Sequence, residues 1–547
     1  MNSYRRSSLP FGIALNAILT VLLTAGMAWP ASGVFNVRDF GAVGDGKTLD
    51  TAAINKAIDA CTAAGGGQVL LPPGTYLSGT VMLKSNVMLR FDAGARLLGT
   101  PDLTQYQQYT PPAGTPEARY GKWHRALVLI SGVQNAGISG DGIIDGNKVH
   151  DPTGEERMRG PHAVLAGGSR NLTIRDIYIK DAANYAMMLE WTDQIDIQNV
   201  KVTGGWDGVH LRVCRDVVVS GCQFYTGDDA IAGRYWENVL ITNCVLNSAC
   251  NGVRVIGPAK RLIIQNCLIY GPGLHPHRTS GRYNLLAGIY LQPGSWDPSA
   301  GDLDDVLISD ITMRNPATPF RLIMNKNNKG GEIVFNRISA TGVYRGGISL
   351  ESNDVPVQRV VLRDINIEYG KDDKTLKAEH RALPAWGLTA RNLKELLLES
   401  VRMTAVEQDG RPFMILNDVG KVSLDGLRTS PPAGDGAVMV MNNVPQQEIR
   451  DAGVPLLDPR CIGLAVAGPD RGAIVTGKPF SATVTIVNAN QTGLGKIELQ
   501  TGDQKMVRWA WVKPNETRKV VFEGLKASAA GVHEVRCGTI RRQVAVR

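Results

Sequence analysis

Three lines of this sequence place acidic or amide side chains at one repeating position. They are Asp207-Gly208-Val209-His210-Leu211, Asp229-Ala230-Ile231-Ala232-Gly233 and Asn251-Gly252-Val253-Arg254-Val255, each beginning 22 residues after the last. Asp228 adjoins Asp229. If 22 residues make one coil of a stacked structure, Asp207, Asp229 and Asn251 share a ladder, and three carboxylates fall within about two strand spacings, roughly 10 Å. Crowding like charges raises the pKa of at least one member. Such a cluster suits acid–base chemistry or a metal better than a purely structural role. Cleaving a glycosidic bond needs this combination: one protonated carboxyl for the leaving oxygen, and one carboxylate for water or for direct attack. The plainer reading is that Asp and Gly are common in solenoid turns, and three in register weakens it.

His210 and Arg254 occupy a neighbouring position of the same lines, with Ala232 between them. Either can grip an acidic or hydroxyl-rich sugar, while the alternative for Arg254 is a solvated charge or an ion pair with a nearby Asp. Further groove candidates are Trp206, Arg234, Trp236, His275, His277, Arg278, Trp296 and Arg321. His275-Pro276-His277 has no third ligand nearby in sequence, and the eight cysteines form no C-x-x-C pair, so no metal and no cofactor is expected.

These residues need a scaffold that turns sequence period into spatial register. Lines beginning at Asn171 (NLTIRDIYI), Gln194 (QIDIQNVKV), Asp216 (DVVVSGCQF), Asn238 (NVLITNCVL) and Arg261 (RLIIQNCLI) repeat at 22 or 23 residues. The fourth positions are Ile174, Ile197, Val219, Ile241 and Ile264, continued near Ile308, Phe335, Leu362, Leu398 and Leu424. A second column runs Ile177, Val200, Cys222, Cys244, Cys267, Ile311, Ile338 and Ile365, its cysteines read as core packing. Short β-rich lines of this period are too short for helical repeats and lack the leucine-rich-repeat line. They predict an all-β fold, a right-handed parallel β-helix solenoid.

A solenoid needs caps at its ends. Ile54, Ala57, Ile58 and Cys61 recur at helical spacing in residues 50–63. They predict an N-terminal capping helix, with Asp50 or Thr51 as its N-cap and Gly65–Gly67 ending it. From Cys461 the repeat stops. Alternating stretches at Phe480–Val487, Lys496–Leu499, Met506–Val512 and Lys519–Phe522 predict a small C-terminal antiparallel β-sandwich. Cys461 and Cys537 sit at its two ends and are either a disulfide or two free thiols. The domain reading is a signal peptide over 1–31, a catalytic β-helix over 32–430, a connector over 431–460 with one strand at Ala437–Met441, and an accessory sandwich over 461–547.

Arg5 and Arg6 followed by the apolar stretch from Phe11 to Trp29, with small residues at Gly26, Ala28 and Ala31, read as an export signal. The paired arginines allow a twin-arginine route, and the alternative is an uncleaved anchor. The expectation is a periplasmic or secreted protein with no membrane association after cleavage. Of 547 residues, 59 are Lys or Arg and 51 Asp or Glu, for a net charge of +8, and 43% are hydrophobic, which excludes a disordered chain. No Lys/Arg run or basic helix supports a nucleic-acid partner. The expected partner is a polysaccharide, and the expected state a monomer.

The stretch beginning Trp206-Asp-Gly-Val-His, with TGDDAIAG at 226–233 and CNGVRVIG at 250–257, resembles the catalytic stretch of glycoside hydrolase family 28. That family holds the polygalacturonases and rhamnogalacturonan hydrolases of the pectate-lyase-like superfamily. The opening at 35–61, GGGQVLLPPGTYLSG at 65–79, GDGIIDG at 140–146 and LPAWGLTARNLKELLLESVRM at 383–403 also resemble it, so the likeness spans roughly 35–430. It implies Asp228 as general acid and Asp207 with Asp229 as the pair that orients and activates water. It also implies inversion of configuration, with acid and base about 6.5–9.5 Å apart.

Two departures stand out. The family's GHG line reads Cys250-Asn251-Gly252 here, and its R-I-K line reads Tyr290-Leu291-Gln292. Asn251, Tyr290 and Gln292 thereby join His210 and Arg254 as candidate substrate contacts. Tyr and Gln offer neutral hydrogen bonds where Arg and Lys pair with a sugar carboxylate. The leading expectation is an exported inverting glycoside hydrolase acting on a pectic or related polysaccharide. The alternatives are a polysaccharide lyase on the same fold and a glycan-binding solenoid that has lost catalysis.

Overall fold

The computed structural model describes residues 33–111, 124–371, 384–430, 434, 436–469, 473–488, 491–502 and 504–547. The expected signal peptide over 1–31 lies outside the described residues. Among the described residues, no helix is long and apolar enough to cross a membrane.

Parallel strands stack coil upon coil. The apolar column read from sequence is the observed register: Ile174 pairs with Ile197, then Val219, Ile241, Ile264, Ile308, Phe335, Leu362, Leu398 and Leu424 in succession. Each is buried. The second column, including Cys222, Cys244 and Cys267, lies in the same core. Side chains alternate across each strand, so one column fills the interior while its neighbours face the solvent. The crossovers of such a solenoid follow the right-handed preference of parallel strand connections, giving a right-handed β-helix.

The capping helix runs Thr51–Ala63 and buries Ile54, Ala57, Ile58 and Cys61 against the first coils. Asp50 precedes it but makes no side-chain capping bond; its carboxylate accepts instead from the backbone N–H groups of Val43 and Gly44, at 2.7 and 3.0 Å. Asp50 therefore fastens the glycine-rich turn at 41–46 to the helix start. Thr51 is likewise engaged elsewhere, its hydroxyl accepting from Gly79 N–H at 2.8 Å. The chain leaves the helix through Gly65 and Gly66, with φ of 92° and 121°. A Cβ on Gly66 would also lie 2.5 Å from the Asn86 carbonyl oxygen, so glycine is required by both conformation and space.

At the other end, Ala437–Asn442 pairs in parallel with Met414–Asp425 on one side and antiparallel with Gln504–Val512 on the other. Gln446–Asp451 continues the parallel ladder beside the same coil. The edge of the solenoid is thus paired rather than open. Beyond it, Arg460–Ala467, Pro479–Val487 and Thr517–Lys526 form one antiparallel sheet. Gly493–Thr501, Gln504–Val512, Gly531–Cys537 and Ile540–Val546 form antiparallel pairs that face it. Phe480, Val484, Leu499, Phe522 and Val535 fill the space between. Arg508 ties the two parts together, donating to Asn442 Oδ1 at 2.8 Å with its guanidinium 4.9 Å from the Phe522 ring. Cys461 and Cys537 are both free thiols.

Candidate active site

One outer face of the solenoid carries the ladder His210, Ala232, Arg254, Tyr290 and Arg321. The alternate positions Val209, Ile231, Val253, Ile289 and Phe320 point into the core. Two residues upstream on each coil, at the turn entering the strand, sit Asp207, Asp229 and Asn251. Their register is fixed by Gly208 N–H donating to the Asp229 carbonyl at 3.0 Å and Ala230 N–H to that of Asn251 at 2.9 Å. The Asp228 carbonyl is held by two hydroxyls, Thr226 at 2.8 Å and Ser248 at 2.6 Å. A side chain at Gly227 would meet the carbonyls of Gly205 and Pro276 at 2.7 Å, which lets the turn pass beneath the loop that carries Pro276.

The three carboxylates differ in environment. Asp207 is buried and its Oδ2 lies 2.8 Å from His210 Nδ1. Asp229 is buried, and its Oδ1 accepts from Asn251 N–H at 3.1 Å and from Asn251 Nδ2 at 2.7 Å. Burial, reinforced by the charge of Asp228, pushes the Asp229 carboxyl up to about 6 against the opposing pull of Arg254 and Asn251. Burial together with Asp228 and Asp229 drives Asp207 well above the ordinary carboxylate range. Both shifts favour keeping a proton within the cluster above the pH at which an ordinary carboxylate releases it. Asp228 is the most open of the three, its side chain 16% exposed. Donor atoms of Asp228, Asp229 and Cys250 lie within 4.8 Å of one another.

Two loops, 146–161 and 271–286, close over Asp228. From the first, Arg159 Nη2 stands 3.9 Å from Asp228 Oδ2, with its guanidinium 3.8 Å from the Trp206 ring and Glu156 accepting at 2.9 Å. From the second, His277 Nε2 stands 3.7 Å from the same Asp228 oxygen. The loops are joined where Thr279 Oγ1 donates to Glu156 Oε2 at 2.6 Å. Sequence reasoning missed Arg159, Glu156, Tyr185 and Arg282. The loop residues lie between coils and have no partner 22 residues away, so period offers no signal for them.

The remaining candidates separate into three groups. His210 is buried, stacked on Tyr185 at 4.8 Å and bonded to Asp207, so it supports a carboxylate and does not line the groove. Asn251 likewise serves Asp229. Trp206 and Trp236 are buried rather than groove-lining, the Trp236 indole N–H donating to the Leu211 carbonyl at 2.9 Å. Arg234 is buried beside Ser295 and Asp297. Arg254, Tyr290, Gln292, Trp296 and Arg321 come together on the face C-terminal to the carboxylates. Tyr290 lies between the guanidinium groups of Arg254 and Arg321, at 5.4 and 5.0 Å. Arg254 Nη2 reaches Gln292 Oε1 at 3.4 Å and Ser295 Oγ at 3.3 Å, and Trp296 stands 76% exposed with its ring 5.8 Å from the same guanidinium. Among the described residues, the Nε atoms of Arg254 and Arg321 are buried without a hydrogen-bond partner.

Residues 34–273 match the family model described as rhamnogalacturonase A/epimerase, pectate lyase-like. The chain is 26% identical over 367 residues to the exopolygalacturonase clone GBGE184 of Arabidopsis thaliana, covering 61% of this chain and 79% of that relative. It is 28% identical over 250 residues to the exo-poly-alpha-D-galacturonosidase of Dickeya chrysanthemi, covering 36% and 41%. It is also 28% identical over 273 residues to the mannuronan C5-epimerase AlgE3 of Azotobacter vinelandii, covering 48% and 12%. Among solved structures, the family 28 exopolygalacturonase of Yersinia enterocolitica superposes with a TM-score of 0.50 at 18% identity over 78% of this chain and 79% of that one, a likeness of fold. The coil register, the helical cap and these matches together support a likeness to the pectate-lyase-like superfamily and, within it, to the family 28 glycoside hydrolases.

Proposed function

We propose that this protein is an exported glycoside hydrolase that cleaves terminal units from an acidic pectic-type polysaccharide by direct displacement. The observation that carries the reading is the unequal carboxylate cluster: the open Asp228 beside two buried partners, Asp207 and Asp229. In this scheme the Asp228 carboxyl gives its proton to the glycosidic oxygen as the bond from that oxygen to the anomeric carbon breaks. A water molecule attacks the anomeric carbon from the other face and passes a proton to the Asp207–Asp229 pair. Both members of that pair are too buried to reach a sugar ring directly, which supports attack by water over a covalent glycosyl intermediate.

Two further features support the substrate class and the mode of cleavage. Arg254 and Arg321, stacked about Tyr290, supply cationic groups near the position where the R-I-K line is absent. A guanidinium pairs with a carboxylate more strongly than the neutral Tyr and Gln of that line do. The Thr279–Glu156 bridge joins two loops beside Asp228, an arrangement suited to a blocked groove and hence to terminal cleavage.

The test is product release by the mature protein from homogalacturonan, rhamnogalacturonan and neutral pectic side-chain glycans, with the first-formed anomer read by proton NMR. Reducing ends released from an acidic glycan, one unit at a time and with inverted configuration, are expected. A product carrying a new carbon–carbon double bond, or an epimerised uncut chain, would contradict the hydrolase reading.

A further inference from the structure

We infer that His277 is the positioning residue of Asp228, presenting an Nε2–H donor to its carboxylate. The inference rests on the reading of Asp228 as the general acid. The tautomer follows from the hydrogen bonds at the other ring nitrogen. Ser280 N–H, which can only donate, points at His277 Nδ1 from 3.3 Å. Ser280 Oγ lies 3.1 Å from the same nitrogen and itself accepts from Arg282 Nη1 at 3.0 Å, so its own hydroxyl proton is free to turn toward Nδ1. Nδ1 is therefore an acceptor, and a neutral ring carries its proton on Nε2. Nε2 faces Asp228 Oδ2 at 3.7 Å. That gap is longer than a direct hydrogen bond, of the kind that tightens when substrate fills a site.

The ring is held in this pose. Its backbone N–H donates to the Arg282 carbonyl at 2.8 Å, and its carbonyl accepts from Gly281 at 2.7 Å, which closes a tight turn over 277–282. Trp206 meets it edge-on at 5.9 Å. Arg282 Nη2 continues to Cys250 Sγ at 3.2 Å, so the turn is anchored on the coil that follows Asp228. The charged groups facing the ring are Asp228 from the catalytic turn, Arg159 and Glu156 from the loop at 146–161, and Arg282 from its own turn. Burial keeps His277 below its ordinary value, while Asp228 pulls it upward. The ring is thus neutral near pH 7, a donor that steadies the Asp228 carboxylate once its proton has left.

Two measurements test this, and only one needs turnover. Proton NMR titration of the His277 ring is compared in the wild type and in Asp228→Asn, with the resonance assigned by its loss in His277→Gln. Removing the carboxylate should lower the His277 midpoint; an unmoved midpoint overturns the pairing. Kinetics on trigalacturonate then compare His277→Ala with His277→Gln, whose amide can place an N–H near the Nε2 position. His277→Ala should lower kcat by about 10- to 100-fold with KM changed by less than about threefold, and His277→Gln should recover most of the loss. Equal loss in both folded variants, or no loss in either, would overturn the donor role. A midpoint that moves in a protein that cleaves no tested glycan would leave the pairing standing and instead refute the proposed function.

Discussion

Replacing Asp229 by Asn should stabilise the fold in neutral and alkaline solution while removing activity. The Asp229 carboxyl is buried and titrates at about 6 in the folded protein, against 3.8 for an unperturbed aspartate. Between those values the folded chain holds a proton that the unfolded chain has released, so stability falls as pH rises through this window and levels off above about 6. The difference of about 2.2 units, at about 1.4 kcal/mol per unit, is about 3 kcal/mol. Asparagine cannot ionise, and its Oδ1 can still accept both bonds from Asn251. The variant should therefore match the wild type near pH 4 and exceed it by up to about 3 kcal/mol above pH 7. For a chain of this length that is about 3 °C in a thermal scan at fixed rate. The check is paired melting of both proteins at acid, neutral and alkaline pH, followed by tryptophan fluorescence. A gap that does not widen as pH rises, or a variant less stable at alkaline pH, would refute the claim that Asp229 is held as a desolvated carboxylate.

Other outcomes follow from the same geometry. Asn251→Ala removes the side-chain donor that favours the ionised Asp229, so the acid limb of the kcat/KM profile, expected near the Asp229 value of about 6, should move up by about half to one pH unit. Trp296→Ala, at an exposed position beside Arg254, should raise KM several-fold on a polymeric substrate and leave the melting temperature within about 1 °C. Phe335→Ala removes a buried ring stacked on Phe320 at 4.1 Å, and should lower unfolding stability by about 3–5 kcal/mol, read from denaturant midpoints.

Much of the scaffold is legible in the chain because a β-helix writes its register directly into the sequence. The column from Ile174 to Leu424 and the Asp207–Asp229–Asn251 ladder are both set by the length of one coil. The same logic explains what was not legible. Arg159 and Arg282 lie in loops between coils, where no repeat constrains position, and their approach to Asp228 and Cys250 depends on how two loops fold back. Trp206 and Trp236 resemble sugar-stacking aromatics in sequence, yet one lies beneath Arg159 and the other finds a backbone acceptor inside the wall. Asp50 has the residue type of a helix cap, but the glycine turn at 41–46 offers its carboxylate two backbone donors. Gly531–Cys537 and Ile540–Val546 are strands of the sandwich that alternation did not reveal, since their exposed faces carry Glu534, Arg536, Arg541 and Arg542 and few apolar residues.

The central claim is that water, activated beside Asp229 and Asp207, replaces a glycosidic bond broken with help from Asp228. The most direct measurement is digestion of trigalacturonate in water enriched in heavy oxygen, with wild type and Asp228→Asn in parallel and the products weighed by mass spectrometry. Hydrolysis predicts one heavy oxygen at each newly formed reducing end, and essentially no product from the variant. Products lacking heavy oxygen and lighter by one water would mark elimination, and turnover undiminished in the folded variant would remove Asp228 from its role; either result would contradict the account.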